Sequence, residues 1–149
     1  MDISREEHRR RLIIPQLHGF YVSAADFWYP MLRITAGALL IPHGWPKLMR
    51  GPEAVAAGLE RGGYDPALPL AYLIIFLETV GAVFIMLGLF TRFLAAAVAI
   101  QMAIIAFVAH APQGWGRMEY PILWGVVMFA IALHGGGPYS LDRKLGREL

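Results

Sequence analysis

One carboxylate, two histidines and two cations interrupt stretches that are otherwise apolar, and they are where this chain could do chemistry. Glu78 is the one charged residue in the run from Leu68 to Phe90, Arg33 lies inside the run from Phe27 to Leu48, and that run ends in Pro42-His43-Gly44-Trp45-Pro46-Lys47. A charge at mid-bilayer costs roughly 2.5 to 3.5 kcal/mol on insertion scales, so Glu78 requires a partner or a function. A carboxylate beside an imidazole can exchange protons with a ligand, and nearby fixed cations stabilise negative charge as it develops. Glu78 and His43 are therefore the candidate catalytic residues, with Arg33, Lys47 and His110 as candidate ligand-binding residues.

Counting about 1.5 Å per residue from the inner helix ends puts Arg33 roughly 9 Å deep, Glu78 about 18 Å and His43 roughly 24 Å. Arg33, reaching outward, is thus the expected partner of Glu78, with His43 approaching from the other side. Two readings stay open: a buried ion pair that fixes helix register, or a proton-exchanging carboxylate beside a ligand pocket. Two prolines four apart with Gly44 between them predict an interrupted helix and a small polar recess open to the outer interface, which His110 and Glu119 also approach. The alternative is a helix that ends at Pro42, with Trp45 in the interfacial belt and Lys47 snorkelling. No two histidines stand at i, i+4 and cysteine is absent, which argues against a metal or haem site. His134 reads as a helix-end histidine.

Four apolar segments must hold these residues: Phe27 to Leu48, Leu68 to Phe90, Phe93 to Ala109 and Tyr120 to about Leu133. At about 20 residues per crossing they occupy over half the chain. The third is the cleanest, apolar except for Gln101, and the fourth is the shortest. Small residues mark packing faces: Arg33, Gly37, Leu40 and Gly44 on the first helix, Glu78 with Gly81 on the second, and Arg92, Ala96, Ala99, Ala103, Ala106 and His110 on the third. Gly88-Leu89-Phe90-Thr91-Arg92 reads as a tight inner turn in which Gly88 ends one helix, Thr91 caps the next and Arg92 anchors the topology. Ser140 or Asp142 can cap a short basic tail helix. The fold expected is an all-α, left-handed four-helix membrane bundle.

Composition agrees. The 149 residues are 57% hydrophobic and 16% charged, where soluble domains run nearer a quarter charged. With no cysteine, disulfide scaffolds, thiolate metal sites and thiol chemistry by this chain are excluded. The basic residues flank apolar runs instead of forming a stripe, so no nucleic-acid partner is expected. Lys and Arg number eight on the side of the termini and the Arg92 turn against four on the other, which makes both termini cytoplasmic. The domains are then an N-terminal arm, 1–26, a four-helix domain, 27–142, and a basic tail, 143–149. Leu12-Ile13-Ile14, stopped at once by Pro15, is too short for a signal-peptide core. Ser4-Arg5-Glu6-Glu7 fits a capping box, so the arm is either a short surface helix up to about Pro15 or a frayed polar segment.

With these residues in hand, the chain resembles the DoxX family of small four-helix bacterial membrane proteins, over about Met31 to Asp142. The resemblance rests on Arg33, His43-Gly44 with Lys47, Glu78 with Gly81, Gly88-Leu89 with Thr91-Arg92, and the Gly-Pro-Tyr-Ser-Leu-Asp ending at Asp142. It implies a multi-pass protein of the bacterial plasma membrane. It further implies a subunit of a quinone-linked oxidoreductase or redox-defence complex, with quinone as a non-covalent ligand and redox proteins as partners. No flavin, haem or iron–sulfur motif is present, so electrons must come from a partner or a small donor. The alternative is a non-catalytic scaffold, or a carrier of a small apolar molecule. The small-residue faces leave homo-oligomer packing open.

Overall fold

The computed structural model describes residues 12–146. Among them every regular element is helical: α1 (His18–Ala24), α2 (Trp28–Arg50), α3 (Pro52–Arg61), α4 (Ala67–Leu87), α5 (Thr91–Ala109), α6 (Trp115–His134) and α7 (Leu141–Leu145). The capping box at Ser4 lies outside the described residues. Past it, a 3-10 turn at Pro15–Leu17 leads into α1, so the chain is helical beyond the proline expected to stop it. Proline suits the first position of a helix, where its missing N–H has no intrahelical partner.

Three helices, α4, α5 and α6, are long and apolar enough to cross a membrane. The fourth long helix, α2, runs 23 residues and carries Arg33, Lys47 and Arg50. It packs along α4, while α5 packs along α6. Leu40, Leu77, Ile85, Val98, Met102, Met128 and Ile131 fill the core between them. The outer faces are apolar too: Phe93 is 69% exposed, Leu133 65% and Phe107 61%. Such exposure over a whole surface suits a hydrocarbon solvent, in which helices satisfy their own backbone groups.

Glycines set the closest approaches. A Cβ on Gly37 would sit 2.6 Å from the Ala82 carbonyl oxygen, and one on Gly44 would sit 2.5 Å from that of Glu78. Residues seven apart share a helix face, so these two glycines bring the backbone of α2 against α4 at two levels. Gly81 is less crowded, its nearest neighbour being the Phe76 carbonyl oxygen at 3.3 Å. On the other pair, Gly125 of α6 faces Met102 and the Ala99 carbonyl.

The prolines do not interrupt α2. Pro42 and Pro46 both lie inside a continuous helix, which corrects the expected break. Each removes one backbone hydrogen bond, a loss that neighbouring groups make tolerable in membrane helices. The carbonyls so freed are those of Ala38 and Pro42, four residues before each proline. Irregularity appears elsewhere: α4 loosens into a π-helical turn over Leu77–Gly81, and α5 does so over Ile105–Ala109. The segment between α2 and α4 contains α3, whose Ala56 packs with Ala67 and Ala71 of α4.

Candidate functional site

Glu78 is 2% exposed and lies in the π-turn of α4. An extra residue in a helical turn shifts the side chains that follow, and such bulges recur at functional sites. The Lys47 Nζ contacts both carboxylate oxygens at 2.6 Å, and the Gln101 Nε2 donates to Oε1 at 2.7 Å. The lysine reaches Glu78 because Gly44, one turn earlier on the same face of α2, lies directly against the Glu78 backbone. Three helices therefore meet on one carboxylate, and its charge is neutralised by the ammonium.

Beside this triad is a cavity of about 240 Å³, lined by His43, Lys47, Glu78, His110, Tyr120 and Trp124 among others. The His43 and Tyr120 rings lie 6.4 Å apart. The His110 Nδ1 is 2.9 Å from the Arg117 carbonyl, which makes Nδ1 the donor. Hydrogen-bond donors, acceptors, a cation and aromatic faces thus converge in a space the size of one ring. Four of the five sequence-derived catalytic and ligand-binding candidates line it.

Arg33 does not. It is 1% exposed, and its Nη2 donates to the Tyr139 carbonyl at 3.2 Å, at the opposite end of the bundle. The expected Arg33–Glu78 pair is replaced by Lys47–Glu78. Depth counting assumed a side chain reaching toward Glu78; the guanidinium instead extends the other way along α2 and is buried under the Gly88 turn and the tail. There the turn after α6 folds over it, and a Cβ on Gly88 would overlap the guanidinium.

The DoxX family profile matches residues 30–111, more than half of the chain. The chain belongs to the DoxX family. It is also similar to an uncharacterized protein of Haemophilus influenzae, 31% identical over 130 residues that cover 82% of this chain and 93% of the relative. No solved structure matches it. The profile takes in α2 to α5 and hence Lys47, Glu78 and Gln101 of this DoxX protein; α6 and the Gly-Pro-Tyr-Ser-Leu-Asp ending lie beyond it.

That ending has a visible job. The Asp142 carboxylate accepts from the Phe90 and Thr91 amides at 2.8 and 3.0 Å and from the Thr91 hydroxyl at 2.8 Å, while its own amide donates to the Gly88 carbonyl at 2.8 Å. Thr91 was expected to cap α5; the cap comes from Asp142 instead, because Phe90, at φ 50°, directs both amides toward the tail. Ser140 caps α7 as expected, accepting from the Arg143 amide at 3.2 Å. Gly88 ends α4 in the left-handed conformation, φ 70°. Arg92 donates to the Ala132 and Leu133 carbonyls at 3.2 and 2.5 Å, satisfying carbonyls that the end of α6 leaves free.

Sequence reasoning missed Gln101 in the triad and Tyr120 and Trp124 in the cavity. The signal for Gln101 was present, since it is the one polar interruption of the third apolar run. Tyr120 and Trp124 carry no such signal, because nothing local tells which face of α6 meets α2.

Proposed function

We propose that this DoxX protein is a membrane subunit of a quinone-linked redox system and that the Glu78 recess takes the quinone head group. The observation that carries the reading is the convergence of His43, Lys47, Glu78 and His110 on one cavity of about 240 Å³. That volume is below the range for drug-sized ligands; it suits a single ring whose tail stays in lipid. Reduction of a quinone to a quinol takes two electrons and two protons. His43 and His110 line the recess and pass the two protons in turn from the aqueous side, the ionised Glu78 accepts a hydrogen bond from the quinol hydroxyl, and Lys47 supports charge on the ring oxygen as electrons arrive. The electrons come from a partner protein or a small donor. The same reading has α2, α4, α5 and α6 all crossing the bacterial plasma membrane, both termini cytoplasmic and the recess toward the outer leaflet.

A second reading has support of its own. Lys47 and Gln101 occupy both oxygens of Glu78, an arrangement suited to holding three helices in register, in which case the protein is a scaffold or a carrier. Mass spectrometry of an organic extract separates the two, comparing the native protein in mild detergent with His43→Ala and Glu78→Gln. Near-stoichiometric quinone in the native protein, lost in folded variants, is the expected result. No quinone in any of the three, together with a stable co-purifying protein, overturns the redox reading in favour of the scaffold.

A further inference from the structure

A second cavity lies on the other side of the Glu78–Gln101 contact and shares nothing of the recess but Ile105. It is a groove of about 320 Å³ between α4 and α5, walled by Leu73, Leu77, Ile100 and Ile104 and closed at one end by Leu59 of α3 and by Tyr64. The helices meet over their Gly88-side halves and diverge toward α3, which opens the groove. Its rim is accessible from the membrane side, since Leu73 is 49% exposed and Ile104 47%.

One polar group breaks the apolar wall. Gln101 lines the groove and is 9% exposed, and its Oε1 is buried with no hydrogen-bond partner. The orientation of the amide is fixed by chemistry: the Glu78 carboxylate only accepts, so Nε2 must face it and the carbonyl oxygen must be left over. An unsatisfied buried acceptor is costly. Water is a poor remedy, because an ordered water needs two to four polar partners and the lining offers Tyr64 as its only other polar side chain.

We infer that this groove binds a lipid-soluble molecule with an apolar body and one hydroxyl, the hydroxyl donating to Gln101 Oε1. The apolar walls select the body and the lone acceptor selects a donor. The molecule enters sideways from the bilayer, between Leu73 and Ile104. Occupancy of this groove does not depend on a quinone in the recess.

The test uses the full chain in lipid nanodiscs and a para-alkylphenol carrying a diazirine in its alkyl chain as photoprobe, with labelled peptides mapped by mass spectrometry. Competitors are para-nonylphenol and its O-methyl ether at equal membrane concentration, the ether being the same body without the donor. The expected results are labelling of the peptides that hold Leu73 and Ile104, and competition by the phenol roughly tenfold stronger than by the ether, the worth of about one buried hydrogen bond. Leu73→Trp, which fills the groove from its exposed rim, abolishes the label, and Gln101→Met brings the phenol down to the ether. Equal competition by phenol and ether on the native chain overturns the inference, as does labelling that survives Leu73→Trp. The comparison on the native chain stands whether or not Gln101→Met folds.

Discussion

Lys47→Met removes the ammonium and keeps most of the side chain's length, so it isolates the ion pair at the centre of the bundle. Glu78 is buried to 2% exposure and loses two of its three contacts, leaving Gln101 alone at 2.7 Å. Stranding one partner of a fully buried pair costs about 3 to 5 kcal/mol. Lys47 is 28% exposed, so solvent already screens part of the interaction and about 2 to 3 kcal/mol is expected. Adding Glu78→Gln removes the stranded charge while keeping an acceptor for Gln101, and should bring the protein back to within about 1 kcal/mol of the native stability. Glu78→Gln alone leaves a lysine able to turn toward water and is expected to cost about 1 kcal/mol, so the coupling between the two sites is about 2 kcal/mol. Unfolding by SDS in mixed micelles, followed by circular dichroism, gives all four stabilities. A Lys47→Met protein within about 0.5 kcal/mol of native, or a double variant whose loss is the sum of the singles, refutes the assignment of the pair.

Three further outcomes follow from the packing. Gly44→Ala drives a methyl into the Glu78 backbone, 2.5 Å from its carbonyl oxygen, and should cost about 1 to 3 kcal/mol in the same unfolding assay. Asp142→Ala removes three hydrogen bonds from the start of α5; a loss of about 2 to 3 kcal/mol is expected, with faster hydrogen exchange at the Phe90 and Thr91 amides and no change at Gln101. Gly88→Ala combines a left-handed φ of 70° with overlap of the Arg33 guanidinium, so it should lower the unfolding midpoint more than Gly81→Ala, whose nearest neighbour is at 3.3 Å.

Periodicity in the sequence carried the bundle itself. Arg33, Gly37, Leu40 and Gly44 predicted the face of α2 that meets α4, and the buried Arg33, Gly37, Leu40 and Gly44 are on it. One more step along the same stripe reaches Lys47, the residue that bonds Glu78, yet depth counting favoured Arg33. Counting assumes side chains perpendicular to straight helices, and an arginine spans several ångströms along the axis in either direction. The proline pair misled for a related reason: a proline removes one local hydrogen bond, while continuity of α2 is decided by its packing against α4. The Asp142 cap joins residues 51 positions apart, and no local pattern announces a partner at that separation. The π-turns at Leu77–Gly81 and Ile105–Ala109 have no proline or glycine signature that distinguishes them from ordinary helix.

The polar residues of the sequence thus divide between two ends of the bundle with different work. At one end Gly88, Arg92 and Asp142 tie the tail to the α4–α5 turn and to the end of α6 through backbone partners, and the buried Arg33 adds one bond to the Tyr139 carbonyl while its Nε and Nη1 have no partner. At the other end His43 and His110 line a cavity, and the Gln101 Oε1 has no partner. Substitutions at the first end should change stability without changing which small molecules the protein holds. Glu78 and Lys47 belong to both descriptions, since they hold α2 against α4 and also line the recess. Stability alone therefore cannot assign them, and the deciding variant is His43→Ala, which alters the recess while leaving the Lys47–Glu78–Gln101 contacts in place. A ligand lost there from a protein of native stability is bound by the recess and is not merely carried along by an intact bundle.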